Sequence, residues 1–379
     1  MQQRLKAVFM RGGTSKALMF RQSDLPPQRD DWGPIFLAAM GSPDPNGRQL
    51  DGMGGGLSSL SKVCVIGPPS RADADVDYTF AQVEIARASV DFAGNCGNMS
   101  SAIGPFAIDE GLIPLPAGPS ASVRIHNTNT GKIIVAHFPL EGGMAAVDGD
   151  CEIDGVAGTG APIRLDFLVP GGSKTGKLLP TGNAIDRLTL PDGRTIEASL
   201  VDAANPGVFV RAADLGLDGT EAPTALERDS ALMQTFEAIR QAGSVAMGLT
   251  ADLPAALKMQ SIPKIAVVAP SRDFIALSDR AYSAGETDLL VRMISVGQPH
   301  RAVPITGGLC LATACRVPGS LPHMMLRPGQ TGAIRIGHPS GMLLVDAETE
   351  QRDGMPFVAC ASLYRTARRL FQGEVFYRG

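Results

Sequence analysis

The 379-residue chain carries 34 Lys and Arg against 38 Asp and Glu, a formal net charge of −4. That balance excludes the basic face a nucleic-acid binder needs to displace counterions from phosphate, but leaves room for a cleft that takes small anions. The length predicts two domains, and 44 Gly and 28 Pro beside 5% aromatics predict a strand-rich fold with many tight turns.

In chain order, the apolar runs Lys6–Met10 and Ala17–Phe20 flank Arg11-Gly12-Gly13-Thr14-Ser15-Lys16, which reads as strand, glycine-kinked loop, strand. Asp30–Met40 has helical spacing, with Trp32, Ile35, Phe36 and Ala39 on one side, and a glycine-rich loop runs from Gly41 to Gly56. Strands are expected at Lys62–Ile66, Tyr78–Ile85 and Ala88–Phe92. At Gly94-Asn95-Cys96-Gly97-Asn98 the alternation stops and a helix begins that runs to about Glu110, apolar nearly all round and therefore buried. Val123–Asn127 and Lys132–Phe138 are further strands.

The second half repeats this plan. Thr195–Val201 and Gly207–Arg211 flank a turn at Asp202–Pro206, and Lys264–Ala269 is a β-branched run suited to a buried strand. Thr306-Gly307-Gly308 opens a second small apolar helix, Leu309–Val317, and strands follow at Ala333–Ile336, Gly341–Asp346 and Phe357–Leu363. The expected fold is α+β: two similar domains, each a mostly antiparallel sheet wrapped around a central helix, with the active site in the cleft between them. The interruption at Pro180-Thr181-Gly182-Asn183 divides residues 1–184 from residues 185–379, with the final strand, Glu374–Tyr377, a candidate to cross back to the first domain.

The six cysteines and five histidines are scattered, without C-x-x-C or H-x-x-x-H spacing, so neither disulfides nor a zinc site is expected. No phosphate loop or dinucleotide fingerprint is present, and no cofactor is expected. No apolar run approaches the roughly 20 residues needed to span a bilayer. No signal-peptide core precedes Arg11, so a cytoplasmic location is expected. Glycine-rich edge strands allow a homodimer.

Two residues are candidates for chemistry. Cys96, at a helix start between Gly and Asn, is placed for acid/base or nucleophilic work, the alternative being a buried inert thiol. Lys62, at a strand start, is either a partly desolvated base or an ordinary edge lysine, and spacing alone does not separate these. Arg11, Thr14 and Ser15 suit a carboxylate or belong to a solvated bulge. Arg48 can reach a carboxylate, with Asp51 orienting Arg48 or Lys62, or it sits in a surface loop. Asn95, Gly97 and Asn98 at the first helix entry, Thr306 and Gly307 at the second, and Ser340 and Gly341 in the Ile336–Gly341 turn complete the binding set. His338 reads as structural, and Cys310 and Cys315 as packing residues.

MRGGTSK (10–16), GSPDP (41–45), QLDGMGG (49–55), LSSLSKV (57–63), GNCGN (94–98), GPFAI (104–108) and GHPSG (337–341) keep their order along the chain, which resembles the PrpF-type family, with its 2-methylaconitate cis-trans isomerases and 4-oxalomesaconate tautomerases. The resemblance implies a diaminopimelate-epimerase-like fold and a small polycarboxylate substrate. It implies Lys62 as principal acid/base with Cys96 across the substrate. Epimerases of that fold use one cysteine from each domain. The second helix entry here has none, which argues against a racemase and for lysine-centred proton transfer to give an allylic or cis-trans shift. The alternatives are an oxalomesaconate-type tautomerase or a non-catalytic accessory protein to a dehydratase.

Overall fold

A computed structural model describes residues 2–92, 95–259, 262–295, 297–352 and 354–378. It divides into two units, residues 1–166 with 364–379, and residues 167–363.

The first unit begins with the hairpin β1 (Gln2–Gly12) and β2 (Ser15–Arg21). Helix α1 (Trp32–Met40) follows and stops at Gly41, whose φ of 73° places it in the left-handed region that a helix C-cap favours. Next come β3 (Lys62–Gly67), β4 (Val76–Val83), helix α2 (Gly97–Asp109), β5 (Ser120–Asn127) and β6 (Lys132–Glu141). The order β1-β2-β3-β4-β5-β6 is joined antiparallel, parallel, antiparallel, parallel, antiparallel.

Side-chain alternation splits this sheet into two faces. Leu18, Phe20, Val63, Val65, Ala81 and Val83 pack with Trp32 and Phe36 of α1, where the Phe20 and Phe36 rings stack at 5.9 Å. The opposite face closes on α2, in which every residue from Met99 to Ile108 is buried. A helix buried all round must be made of small residues where strands press on it. At Gly104 an added Cβ would lie 2.6 Å from the Phe138 ring.

The second unit contains β7 (Asp186–Thr189), β8 (Thr195–Ala203), β9 (Asn205–Arg211), helices α3 (Pro223–Arg228), α4 (Ser230–Ala246) and α5 (Leu253–Lys258), then β10 (Lys264–Pro270) and β11 (Leu289–Ser295). Helix α6 (Ile305–Cys315), the short α7 (Leu321–Met325), β12 (Ile334–His338), β13 (Gly341–Arg352) and β14 (Met355–Arg365) follow. From β8 the order β8-β9-β10-β11-β12-β13 is again antiparallel, parallel, antiparallel, parallel, antiparallel. Ile265, Val267, Ala269, Leu290 and Ile294 face α4 through a core that includes Phe236 and Ile239. The other face packs on α6, buried from Gly307 to Cys315.

The last strand, β15 (Ala367–Arg378), runs antiparallel along β1 in the first unit, as β7 does along β8 in the second. The two units thus share one strand order, one outer helix and one central helix.

The structure differs from the sequence expectation in three places. The units divide at Asp166/Phe167 rather than at 184/185, inside the strand Ile163–Leu168. The Pro180–Asn183 interruption is a loop of the second unit, tied to it by the Asp202 N–H to Leu178 carbonyl bond (2.9 Å) and by Thr181 on Asp186 (2.7 Å). Helix α6 starts at Ile305, so Thr306 and Gly307 lie in its first turn instead of before it. Helices α3 to α5 and α7, and the strands Ile163–Leu168, β7 and β11, have no counterpart in the sequence reading. Gly94 lies outside the described residues.

Asp202 is fully buried, and its carboxylate accepts from Ser173 Oγ (2.5 Å), Lys174 N (2.8 Å), Thr175 N (2.7 Å) and Thr175 Oγ1 (2.9 Å). Asp202→Ala strands these donors and should cost about 2–4 kcal/mol, read as a lower urea midpoint. An unchanged midpoint would refute the anchoring role of this carboxylate.

Candidate active site

Lys62 begins β3, next to Val63 and Val65, which face α1, so its side chain goes to the α2 side of the sheet. It is buried, with 8% exposure. Its cross-strand partner is Gln82, whose Oε1 accepts from Lys62 Nζ at 2.5 Å. Gln82 can present that oxygen because its Nε2 donates to the Ser58 and Ser61 carbonyls at 3.0 and 2.9 Å. The Phe80 ring lies 5.0 Å from Nζ and adds a cation–π contact. Among the described residues Lys62 has no ion pair with a carboxylate.

The strand start is itself pinned. Buried Gln49 donates to Ser61 Oγ (2.7 Å) and Ser42 Oγ (2.9 Å) and accepts from Gly56 N (3.0 Å). Ser61 Oγ donates on to the Val83 carbonyl at 2.9 Å. The glycine-rich loop is therefore a cradle around one glutamine, and at Gly54 an added Cβ would sit 2.3 Å from the Gln49 amide.

Cys96 is the N-cap of α2, half-buried, and its carbonyl accepts from Ser100 N at 3.0 Å. Cys64, two residues along β3 from Lys62, is fully buried. Burial, and then the nearby Cys96, push its thiol up, while Lys62 acts in the opposite direction. Cys64 therefore feels both nominated residues electrostatically. Cys64 itself is an inert neighbour whose Sγ lies 3.9 Å from Tyr78 Oη.

The entry to α2 is braced from two sides. Asn127 Nδ2 donates to Asn95 Oδ1 at 3.3 Å. Asn98 Nδ2 donates to Thr14 Oγ1 (3.2 Å), and Asn98 Oδ1 accepts from Arg365 Nε (3.1 Å) and Thr14 N (3.5 Å). Gly12 lets the hairpin approach this closely, since a Cβ there would lie 2.7 Å from the Asn98 carbonyl oxygen. Gly97 opens the helix, and Ser15, at the start of β2, is buried. Burial pushes the Arg365 guanidinium down to about 10.

Arg11 and Arg48 take other places. Arg11 Nη1 donates to the Gly13 and Thr366 carbonyls at 3.0 and 2.9 Å, so it fastens the hairpin turn. Arg48 is exposed and lines a groove of about 860 Å³ with Asp44, Leu50, Phe376 and Arg378, a set that includes neither Lys62 nor Cys96. Asp51, expected to orient Arg48 or Lys62, pairs with Arg378 at 3.2 Å.

In the second unit Thr306 and Gly307 form the first turn of α6, with Pro304 as N-cap. Ser340 Oγ donates to the Arg301 carbonyl (2.6 Å), Ser340 N donates to His338 Nδ1 (3.2 Å), and Gly341 opens β13 at a φ of 138°. His338 is buried and accepts within its own turn. Cys310 and Cys315 are buried in α6, and burial pushes the Cys310 thiol up to about 12.

Gln82, Gln49 and Arg365 were absent from the sequence reading. Gln82 needs the β3–β4 register to be seen, and Arg365 is brought to Asn98 from 267 positions away. Gln49 lies in the QLDGMGG motif (49–55), but its role exists only once the glycine-rich loop has closed around its amide. Among the described residues no group of three or more His, Cys, Asp or Glu is placed to hold a metal ion.

A sheet wrapped on a buried helix, repeated with the same strand order, defines a two-domain diaminopimelate-epimerase-like protein. The chain belongs to the PrpF family, whose model, described as PrpF protein, matches residues 2–378. It is 40% identical to the 2-methyl-aconitate isomerase of Cupriavidus necator, over 98% of this chain and 96% of that one. It is 42% identical to the 3-methylitaconate isomerase of Eubacterium barkeri, over 99% and 97%. A crystal structure of methylitaconate-delta-isomerase superposes with a TM-score of 0.91 at 41% identity, covering 99% of this chain and 96% of that one.

The burial pattern predicts thiol reactivity. Iodoacetamide should label half-buried Cys96 and Cys151 in the native chain and spare buried Cys64, Cys310, Cys315 and Cys360 until urea is added. Peptide mass spectrometry reads this directly. Native labelling of Cys64 at the rate of Cys96 would contradict the packing of β3.

Proposed function

We propose that this isomerase moves a proton on a small unsaturated tricarboxylate, 2-methylaconitate or a related aconitate, with Lys62 as the base. The observation that carries the reading is a buried amine on the α2 side of the sheet, held by an amide oxygen and a ring face, with no carboxylate paired to it among the described residues. A carboxylate partner would compete with the substrate for that amine, whereas an amide oxygen orients it and leaves it available. The PrpF relatives, named for methylaconitate and methylitaconate, support the substrate class without fixing the acid.

In the proposed step the Lys62 amine takes a proton from a carbon conjugated to the carboxylates. The C–H electron pair passes into the π system and gives a dienolate. Backbone N–H groups at the α2 entry and the Thr14, Ser15, Asn95 and Asn98 side chains stabilise the developing charge. Return of the proton at the allylic carbon shifts the double bond; return to the original carbon after rotation gives cis-trans isomerisation. Cys96 assists or positions. The six free thiols accord with a cytoplasmic setting.

Proton NMR in deuterated water with 2-methylaconitate, aconitate and oxalomesaconate tests this. Isomerisation or solvent exchange of olefinic and allylic protons is expected with at least one. Lys62→Met should lower kcat by about 10²–10⁴-fold, and Cys96→Ser should lower it less. Full activity in Lys62→Met would remove the lysine from the mechanism, and silence of the native chain with every acid would end the isomerase reading.

A further inference from the structure

One hydrogen-bond relay runs through the α2 entry, and all of its members belong to the first unit, which takes in residues 364–379. Arg365, the buried last residue of β14, donates from Nε to Asn98 Oδ1 at 3.1 Å and from Nη1 to the Tyr364 carbonyl at 2.8 Å. The Thr14 backbone N–H donates to the same Asn98 oxygen at 3.5 Å. Asn98 Nδ2 in turn donates to Thr14 Oγ1 at 3.2 Å. Room for the relay is kept at the hairpin turn. An added Cβ at Gly13 would collide with Asn98 Oδ1 and lie 3.1 Å from Arg365 Cδ.

The direction of every bond in the relay follows from its first member. A guanidinium carries donors only, so the Asn98 side chain must turn its oxygen toward Arg365. The Thr14 N–H makes the same demand. With that oxygen committed, the amide nitrogen is the atom left facing Thr14 Oγ1, and it can only donate. The Thr14 hydroxyl therefore accepts from within the protein, and its own hydrogen has to point elsewhere. Among the described residues that hydroxyl makes no second hydrogen bond, and Thr14 is exposed. Its methyl is turned toward Gly155, where an added Cβ would lie 3.5 Å from Cγ2. A hydroxyl free to rotate offers a lone pair as readily as a proton; this one is set as an outward donor, which suits an anion.

We propose that Arg365 is a positioning residue for Thr14: acting through Asn98, it fixes the Thr14 hydroxyl as a donor toward a carboxylate of the ligand. This rests on the tricarboxylate reading above and deepens it by naming what makes the α2 entry select a carboxylate oxygen. It needs residues of the first unit only. Arg365 itself does not meet the ligand; its donors serve Asn98.

A double-mutant cycle tests this with calorimetric binding of tricarballylate, a saturated tricarboxylate that cannot react. Thr14→Val removes the hydroxyl and keeps the shape, whereas Arg365→Gln removes the donor-only constraint, since an amide offers oxygen as readily as nitrogen. Each should raise the Kd ~10-fold, and the double variant should exceed Thr14→Val alone by less than ~2-fold. Arg365→Lys, again a donor only, should recover most of the affinity. Losses that add in the double variant show Arg365 acting by its charge and overturn the inference, as does a Kd unmoved by Thr14→Val. Where Arg365→Gln does not fold, Asn98→Asp replaces it: the carboxylate still accepts from Arg365 but cannot donate to Thr14. Its Kd should rise in the native background and stay within ~2-fold in the Thr14→Val background; a rise that persists there overturns the inference. Isomerisation by a native chain whose Kd ignores Thr14 sinks the positioning role and leaves the isomerase reading intact. Coupled binding without turnover of any acid sustains the role while the reaction assignment fails, and a native chain that does not bind tricarballylate overturns the site.

Discussion

Everything in this molecule is arranged around the burial of two helices that have no polar side. An α-helix satisfies its own backbone, so it can be surrounded by sheet provided its side chains are small and apolar. In α2 ten consecutive residues are buried, with Gly104 set against Phe138 and Pro105 tolerated in the interior. In α6 the stretch Gly307–Cys315 is buried in the same way, with Gly308 against Leu343. Small residues at the contacts are thus a packing requirement first. Their consequence for chemistry is that the first turn of each helix, where the backbone N–H groups have no helical partner, is where polar side chains collect.

The repeat also explains why the two ends of the chain meet. A central strand such as β1 needs neighbours on both edges, and β2 supplies only one. β15 supplies the other from the far end of the sequence, as β7 does locally for β8. The hairpin turns correspond as well. Gly13 at φ 51° joins β1 to β2, and Ala204 at φ 58° joins β8 to β9. A non-glycine residue in that region is strained, so the second turn keeps the geometry of the first without its glycine. The helix entries have diverged further, with Cys96 capping one and Pro304 the other.

Patterns that live within one element were legible in the sequence. The two central helices, the outer helix α1 and most strands announced themselves by period or by continuous apolar runs. β11 did not, because Arg292 stands in the middle of Leu289–Ser295. That guanidinium is buried, donates to the Glu221 carbonyl at 2.7 Å and is pushed down to about 10 by burial, a solution available only once Glu221 is brought alongside. Helix α4 carries its start signal in Asp229, which accepts from Leu232 N at 2.9 Å, but its apolar face is diluted by Arg240, which neutralises itself on Glu237 and three backbone carbonyls. The site residues divide in the same way. Lys62 and Cys96 sit in readable motifs; Gln82, Arg365 and the pairing of Lys264 with Ser295 exist only through register.

What the lysines lack matters as much as what they touch. Other buried cations are satisfied by a carboxylate or by several acceptors: Arg240 pairs with Glu237 and donates to the Ala256, Met259 and Ile262 carbonyls, and Arg292 donates to the Glu221 and Val291 carbonyls. Lys62, and the half-buried Lys264, are given one neutral acceptor each. At ~4 Å and an effective dielectric near 20, a single opposite charge is worth about 4 kcal/mol before desolvation is subtracted, so withholding it leaves the folded chain short of a favourable term that a ligand can supply. A carboxylate introduced beside Lys62 would supply that term from within the protein and hold the amine in its charged form, at the expense of the base role proposed for it.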